Sequence, residues 1–241
     1  MCTVSFIPLK DRVFITTNRD ERISRKKALP PSLIKHKEQL FIFPKDADAG
    51  GTWIVTKENG DSAVLLNGAF VNHIHQPPYL QSRGIILLDI LAEDHPSGSF
   101  TKIDLSNIEP FTIVLMEEQL LYEFRWDGAK RSLKQLPNEL PQLWSSVTLY
   151  DDGAIKKREE WFKDFIEKNL TPTREDIFNF HQFTGDGNLK NDLLMHREGA
   201  HSTVSVTCIE AKKEITEMVY LDLIDGKEYI SSMETKTVFV K

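Results

Sequence analysis

Residues 1–21 read MCTVSFIPLKDRVFITTNRDE, and this stretch carries the strongest structural signal in the chain. The runs Cys2–Ile7 and Arg12–Thr17 are rich in β-branched and aromatic residues, and Pro8–Asp11 separates them. This pattern predicts an antiparallel β-hairpin. Because the second strand of a hairpin returns beside the start of the first, the residues that follow Thr17 are expected to lie near the amino terminus.

Cys2 is the first candidate functional residue, since the sequence has cysteine only at positions 2 and 208. Removal of Met1 would expose a thiol and an α-amine on the same residue. An α-amine has a pKa of ~7.7–8.0, so it can act as the base for that thiol. If Met1 is retained, this chemistry is not available. The alternative is that Cys2 is a small apolar residue that opens the first strand.

A charged segment, Asn18–Lys27, is expected to leave the second strand as a loop. Within it, Asn18, Arg19 and Asp20 could lie close to Cys2. A guanidinium beside a thiol favours the thiolate, and it can also donate to a substrate carbonyl or carboxylate. The alternative is a charged turn held by its own salt bridges.

Two further motifs sit at the ends of a second predicted hairpin. Asn67-Gly68 ends the strand Ser62–Asn67, and an Asn amide with a Gly N–H could hold an oxyanion, although Asn-Gly is also an ordinary turn. Gly50-Gly51-Thr52-Trp53 precedes the strand Thr52–Lys57. Its glycines allow close backbone approach or positive φ, or they simply end a loop.

The histidines give weaker signals. His73 and His75 lie in a Pro-rich loop and could bind a metal ion, but no third ligand is evident, so no metal site is predicted. His201 stands at the start of the last group of strands and is the more interesting histidine there.

The composition excludes several classes of partner. A net charge of −6 argues against binding to nucleic acid or to an anionic membrane. Two cysteines form no disulfide framework or metal motif, and a reducing compartment is the default. No signal peptide and no apolar run near the ~20 residues of a membrane helix are visible. We therefore expect a cytoplasmic protein without an integral membrane segment.

The rest of the chain alternates strand pairs with helices. Strand pairs open and close the sequence with helices between them, and few adjacent units read as βαβ, so an α+β fold with antiparallel sheets and outer helices is predicted. The predicted helices are Ser82–Ala92, Ala154–Asn169 and one capped by Thr173 with Asp176. The remaining predicted strands are Phe111–Met116, Leu120–Trp126, Thr203–Glu210, Glu214–Asp222, Glu228–Ser232 and Thr235–Val240.

Together these motifs resemble the NRDE family, which includes transport and Golgi organisation protein 2. The resemblance rests on Met1-Cys2 opening a hairpin, then Thr17–Glu21, then Gly50–Trp53, then a strand ending in Asn67. It runs through residues 1–241 as a single domain and is strongest over residues 1–70. The family is similar to N-terminal nucleophile (Ntn) hydrolases, so the implied fold is a four-layer αββα sandwich of two antiparallel sheets.

The resemblance implies a catalytic group of Cys2, Arg19, Asp20 and Asn67. In such hydrolases the cysteine attacks an amide, its α-amine moves the protons, an arginine and an aspartate flank it, and an asparagine binds the substrate or the oxyanion. The residues that the resemblance adds as substrate contacts are Asn18, Gly68, Trp53, Ser146 and His201.

Two positions depart from the family pattern. Ser146 stands where the family usually carries an oxyanion asparagine, and loss of such a donor typically costs ~10²–10³ in rate. His201 lies where an arginine usually stands, so a charge-assisted support of the site is missing.

Two functions from different classes remain open. The first is a cofactor-free cysteine hydrolase that cleaves the C–N amide bond of a small molecule. The second is a non-catalytic protein on the same fold that binds or transports haem or a lipid, with Cys2, His73, His75 or His201 as haem contacts. The sequence leaves the substrate and the oligomeric state open.

Overall fold

The computed structural model describes residues 3–235. Within that range, two antiparallel sheets of seven strands each pack face to face. Sheet I has the order β10-β1-β2-β12-β13-β14, with β11 paired to β12. Its strands are β1 (Thr3–Pro8), β2 (Arg12–Arg22), β10 (Gln142–Ser145), β11 (His196–Arg197), β12 (His201–Lys212), β13 (Ile215–Asp222) and β14 (Glu228–Glu234).

Sheet II runs in chain order from β3 to β9. Its strands are β3 (Leu29–His36), β4 (Gln39–Lys45), β5 (Ile54–Lys57), β6 (Ser62–Asn67), β7 (Phe111–Glu117), β8 (Leu120–Trp126) and β9 (Arg131–Leu136). The helices are α1 (Arg83–Leu91), α2 (Pro96–Lys102), α3 (Asp152–Lys168) and α4 (Arg174–Phe183). No helix in residues 3–235 is long and apolar enough to cross a lipid bilayer.

The strand alternation builds three apolar layers. Val4 and Phe6 of β1 join the core between the two sheets, whereas Ile7 faces α3 and α4. Successive side chains of a strand point to opposite faces, so each strand of sheet I serves both layers. The outer face of sheet II packs against α1 and α2 through residues such as Leu87 and Phe100. The predicted α+β sandwich of two antiparallel sheets is confirmed.

Local sequence signals account for the helix starts. The Ser82 side chain accepts a hydrogen bond from the Ile85 N–H at the start of α1, and Asp151 does the same for Ala154 in α3. Thr173 and Asp176 form a reciprocal capping box that begins α4, as the sequence predicted. All three predicted helices are confirmed, within a few residues at their ends.

The opening hairpin is also confirmed, with Thr3 paired to Asn18. The prediction of a charged loop from Asn18 was wrong, because β2 continues to Arg22 and pairs with β12 along its whole length. The ladder of hydrogen bonds to β12 outweighs the low strand propensity of the charged residues.

Several other strand boundaries differ from the sequence predictions. The strand predicted from Thr52 begins at Ile54. The sequence missed β3, β4, β9, β10, β11 and α2. In β3, Pro30 and Pro31 lower the strand propensity, and the strand tolerates them because it lies at the edge of sheet II. The predicted strand Thr235–Val240 lies outside the described residues beyond its first residue.

Candidate active site

A cavity of about 530 Å³ opens at one end of the sandwich. Its walls come from the end of β2, the loop before β5, the β6–α1 connection with the start of α1, and the start of β12. The predicted site residues that line it are Arg19, Asp20, Trp53, Asn67 and His201. Cys2 lies outside the described residues. Its neighbour Thr3 is buried and pairs with Asn18 on one side and Ser145 on the other.

Arg19 faces the space between the sheets. One of its Nη atoms lies 2.6 Å from an Asp46 carboxylate oxygen, and its guanidinium lies 4.5 Å from the ring centroid of Trp53. Asp46 also pairs with Arg25 at 2.9 Å. Burial alone would raise the pKa of Asp46, but Arg25, the Ala49 N–H and Arg19 outweigh it and lower that pKa to about 2. A fixed negative charge therefore holds Arg19 at the cavity wall.

Asp20 points to the opposite face of β2, as the alternation of a strand requires. Its carboxylate accepts hydrogen bonds from the Tyr150 hydroxyl at 2.7 Å and from the Thr203 hydroxyl at 2.5 Å. Arg19 and Asp20 thus both reach the cavity but are held by different layers of the sandwich. Tyr150 and Thr203 were not singled out as partners from the sequence.

Asn18 is fully buried on the helix-facing side of sheet I and does not line the cavity. Its amide donates to the carbonyls of His181 at 3.0 Å and Leu193 at 2.8 Å. Its Oδ1 therefore faces the Nδ1–H of His181, while His181 Nε2 lies 2.7 Å from the Ser5 hydroxyl. This position ties α4 to the opening hairpin and does not match the predicted substrate contact.

Asn67 and Gly68 have different roles in the structure. Gly68 has a φ of +80° and its N–H donates to the Pro110 carbonyl at 3.0 Å, so this N–H is not free to hold an oxyanion. A Cβ at Gly68 would lie 2.8 Å from the side chains of Val147 and Thr148. Asn67 lines the cavity, and its side-chain amide makes no hydrogen bond within residues 3–235. The Asn67 amide is therefore a candidate donor, and Gly68 shapes the turn.

Ser146 connects the two sheets at this end. Its hydroxyl donates to the backbone carbonyl of Asn67 at 2.8 Å and also lies 2.9 Å from the Thr148 hydroxyl. It does not line the cavity. Ser146 thus holds the end of β10 against the end of β6, where the family pattern has an asparagine.

The two glycines Gly51 and Gly84 allow the loop before β5 to touch the start of α1. A Cβ on Gly51 would lie 2.5 Å from the Gly84 carbonyl carbon, and Thr52 N donates to the Gly84 carbonyl at 3.3 Å. The prediction of close backbone approach in this motif is confirmed, and the same contact explains the glycine inside α1. Trp53 and the first turn of α1 are thereby held side by side at the cavity wall.

A cluster around Glu109 forms the opposite part of the wall. Glu109 accepts from His73 Nε2 at 3.2 Å and His75 Nδ1 at 3.0 Å, and Arg83 lies 3.0 Å from its other oxygen. Burial would raise the pKa of Glu109, but Arg83 and the two histidines hold it below its usual range. The sequence showed the histidine pair but not their carboxylate, which is 34 residues away from His75. No group of side chains in residues 3–235 has the arrangement of a metal site.

The remaining histidine candidate, His201, and the second cysteine of the chain, Cys208, both have pKa values shifted by burial. His201 is half-buried at the cavity edge, where burial lowers its pKa. Cys208 is fully buried, and burial raises the pKa of its thiol to about 12. A thiol with that pKa is almost entirely protonated near neutral pH, so Cys208 is not a reactive thiol and Cys2 is the remaining cysteine of the chain.

Two antiparallel sheets between outer helices are the fold of the Ntn hydrolases. The amidase ortholog from Caenorhabditis elegans that hydrolyses N-acylethanolamines superimposes with a TM-score of 0.59, at 12% identity over 86% of this chain and 92% of that one. Conjugated bile acid hydrolase from Clostridium perfringens, in an arginine-to-leucine variant, gives 0.58 at 11% identity, over 100% and 99% of the two chains. Its cysteine-to-alanine variant gives 0.54 at 12% identity, with the same coverage.

The chain belongs to the Transport and Golgi organisation 2 family, whose sequence profile matches residues 1–235. The family predicted from the sequence motifs is thereby confirmed. No curated protein matches the chain significantly.

Proposed function

We propose that this chain is an Ntn-type cysteine hydrolase that cleaves the C–N amide bond of a small polar molecule. The observation that carries the proposal is the cavity, whose wall presents Arg19, Asp20 and Asn67. Cys2 is joined to Thr3 by one peptide bond, and Thr3 pairs with Asn18 beside two of these residues. A trans peptide separates neighbouring Cα atoms by about 3.8 Å, which supports Cys2 as the nucleophile of this cavity.

The proposed reaction starts with Met1 removed. The α-amine of Cys2 accepts the proton of its own thiol, and the sulfur forms a bond to the amide carbon. The carbonyl oxygen becomes an oxyanion, which the Asn67 amide stabilises by hydrogen bonding. The C–N bond then breaks as the nitrogen takes the proton from the α-amine. Water hydrolyses the resulting thioester, which returns the free thiol and releases the carboxylic acid.

The wall of the cavity supports a polar substrate. Four arginines and four carboxylate residues line it, and its volume lies in the range of small-molecule sites. The charged lining residues are Arg19, Arg22, Arg25, Arg83, Asp20, Glu21, Asp46 and Glu109. A haem macrocycle or a long acyl chain would remove water from these charged groups without replacing its hydrogen bonds, which is energetically costly. His73 and His75, the histidines considered for haem, both hydrogen-bond to Glu109, which gives that alternative no support.

The test begins with the amino terminus of the native protein. Intact mass should show that Met1 is absent, and iodoacetamide near neutral pH should label Cys2 once. Release of primary amines from a panel of small N-acyl amides should be lost in Cys2→Ala. Asn67→Ala should lower the rate by about 10²–10³ if Asn67 is an oxyanion donor. Cys208→Ala is the matched control, because a buried, protonated thiol should contribute nothing to turnover. Retained Met1 together with an unlabelled Cys2 would overturn the proposal.

A further inference from the structure

Tyr150 lies at the centre of a buried cluster beside the candidate active site. The guanidinium of Arg158 lies 3.5 Å from its ring centroid, and that of Arg197 lies 5.5 Å away. Tyr150 and Arg158 are almost completely buried. A cation over an aromatic face is bound most strongly where water is excluded, so the ring of Tyr150 compensates part of the cost of burying a charge.

Arg158 is a fully buried arginine that joins α3 to β1 and to the segment before β11. Its N–H groups donate to the Thr3 hydroxyl and to the carbonyls of Asn191 and Asp192. No carboxylate in residues 3–235 forms an ion pair with it. A buried charge without a counterion is expensive even when it is hydrogen-bonded, and an apolar side chain would pack there at lower cost. This expense suggests a role beyond packing.

The two ends of the cluster reach β1 and the end of β2. Arg158 holds the side chain of Thr3, and the Tyr150 hydroxyl donates to one oxygen of Asp20 at 2.7 Å. Thr203 donates to the other oxygen of Asp20 at 2.5 Å. With a hydrogen bond on each oxygen, the carboxylate cannot rotate without breaking one of them. The cluster therefore fixes a negative charge and the backbone of β1 relative to each other.

We propose that Tyr150 is a positioning residue for the amino-terminal nucleophile. Its hydroxyl orients Asp20, its ring holds Arg158, and Arg158 holds Thr3, so that the α-amine and thiol of Cys2 stay aligned with the cavity. This inference rests on the proposed function. Misplacement of a reacting group by about 1 Å can cost about 10²-fold in rate.

The experiment measures the rate at which iodoacetamide alkylates Cys2 between pH 6 and pH 9.5 in the full chain, with mass spectrometry to locate the adduct. Tyr150→Phe removes the hydroxyl and keeps the ring over which Arg158 lies. We expect alkylation at pH 7 to fall about tenfold, since Asp20 loses the hydrogen bond from the Tyr150 hydroxyl. At pH 9.5 the variant should match the wild type, because a thiol with a pKa of ~8.5 ionises there without a base.

A double-variant comparison distinguishes a positioning role of Tyr150 from a role in stability alone. Asp20→Asn should lower alkylation at pH 7 at least as much, and the double variant should fall no further than Asp20→Asn alone, since both changes act through one carboxylate. Thr203→Val removes the other hydroxyl and should reduce the rate in the same direction, which keeps the proposal testable if Tyr150→Phe does not fold. Tyr122→Phe in β8 of sheet II is the matched control and should leave the rate unchanged.

The outcomes distinguish the two proposals. If wild-type Cys2 is not alkylated, both fail. If it is alkylated and Tyr150→Phe reacts at the wild-type rate at pH 7, the positioning role is wrong and the hydrolase proposal stands. A loss that persists unchanged at pH 9.5, or additive losses in the double variant, would also overturn the positioning role and indicate a structural effect only.

Discussion

The two helix–sheet interfaces of the sandwich differ in polarity. Between sheet II and its helices the middle of the interface is apolar, and Phe100 of α2 stacks on Phe124 with centroids 4.6 Å apart. Two buried charged side chains lie at its edge, where Lys57 donates to the Glu93 carbonyl and Glu117 accepts from the Ser97 N–H. Between sheet I and its helices the middle is equally apolar, with Phe162 against Phe180. At the cavity end, however, His181 and Arg158 are fully buried among polar partners.

This difference separates stability from function within one fold. An apolar interface gains free energy in proportion to the area it buries, so the middle of the sheet II interface needs no polar group. Buried polar groups must recover their lost hydration through hydrogen bonds, and such networks are retained where a specific arrangement is needed. The polar end of the sheet I interface surrounds Thr3 and Asn18, and Thr3 directly follows the proposed nucleophile in the chain.

The largest expected effect concerns His181 and acid. Burial and the nearby Arg158 charge lower its pKa from 6.5 to about 3. Between these two pKa values the His181 side chain of the unfolded chain binds a proton that the native one does not. The contribution of neutral His181 to the free energy of unfolding is therefore fully present above about pH 6.5 and is lost as the pH falls toward 3. Between these two pKa values the free energy of unfolding should change by about 1.4 kcal/mol per pH unit because of this one group. Urea unfolding between pH 4 and pH 7 should show this slope in the wild type and a shallower one in His181→Gln. Parallel slopes would mean that the buried histidine is not the acid-sensitive group of this interface.

An effect of similar size should come from the apolar interface. Phe100→Ala removes a fully buried ring and should cost about 3–5 kcal/mol of unfolding free energy by chemical denaturation. Alkylation of Cys2 should not change below the unfolding transition, because α2 lies on the far side of sheet II. Phe180→Ala in α4 is the matched variant: it should cost a similar amount but also slow alkylation, since Phe180 precedes His181. Equal effects of both variants on Cys2 would remove the distinction between the interfaces.

The smallest effect compares the helix caps of the two interfaces. Thr173→Ala destroys the reciprocal capping box of α4, whereas Ser82→Ala removes a single side-chain bond from α1. We expect losses of about 1 kcal/mol and somewhat less, respectively. Thermal unfolding can rank the two variants. A larger loss for Ser82→Ala would show that α1, which touches Gly51 across the cavity wall, is the more critical helix.

The sequence predicted the local elements where one signal was sufficient. The opening hairpin, the capping box at Thr173 and the close approach at Gly51 each depend on residues near one another in the chain, and each is present. The sequence predictions were less accurate where pairing between distant strands determines the structure. The charged residues Arg19–Arg22 read as a loop, yet they lie in β2 because β12, some 180 residues away, pairs with them.

The candidate site shows the same division. Sequence alone selected Arg19, Asp20, Trp53, Asn67 and His201, which line one cavity, from motifs that resemble a known family. It also selected Asn18, Gly68 and Ser146, whose polar groups hold the fold at the edge of the site. Side-chain chemistry identifies what a residue can do, but only its neighbours determine which of its hydrogen bonds are already used.

What the sequence by itself determined was the class of fold, the family and the position of the opening hairpin, because hydrophobic alternation and turn residues act over short distances. The tertiary structure alone decided that Arg19 and Asp20 face opposite layers, that Tyr150 donates to Asp20 and that Arg158 donates to Thr3. Those contacts join residues 130 and 155 positions apart. No local pattern encodes such pairs, since they arise only when the packing of α3 against sheet I buries polar groups that must then find partners.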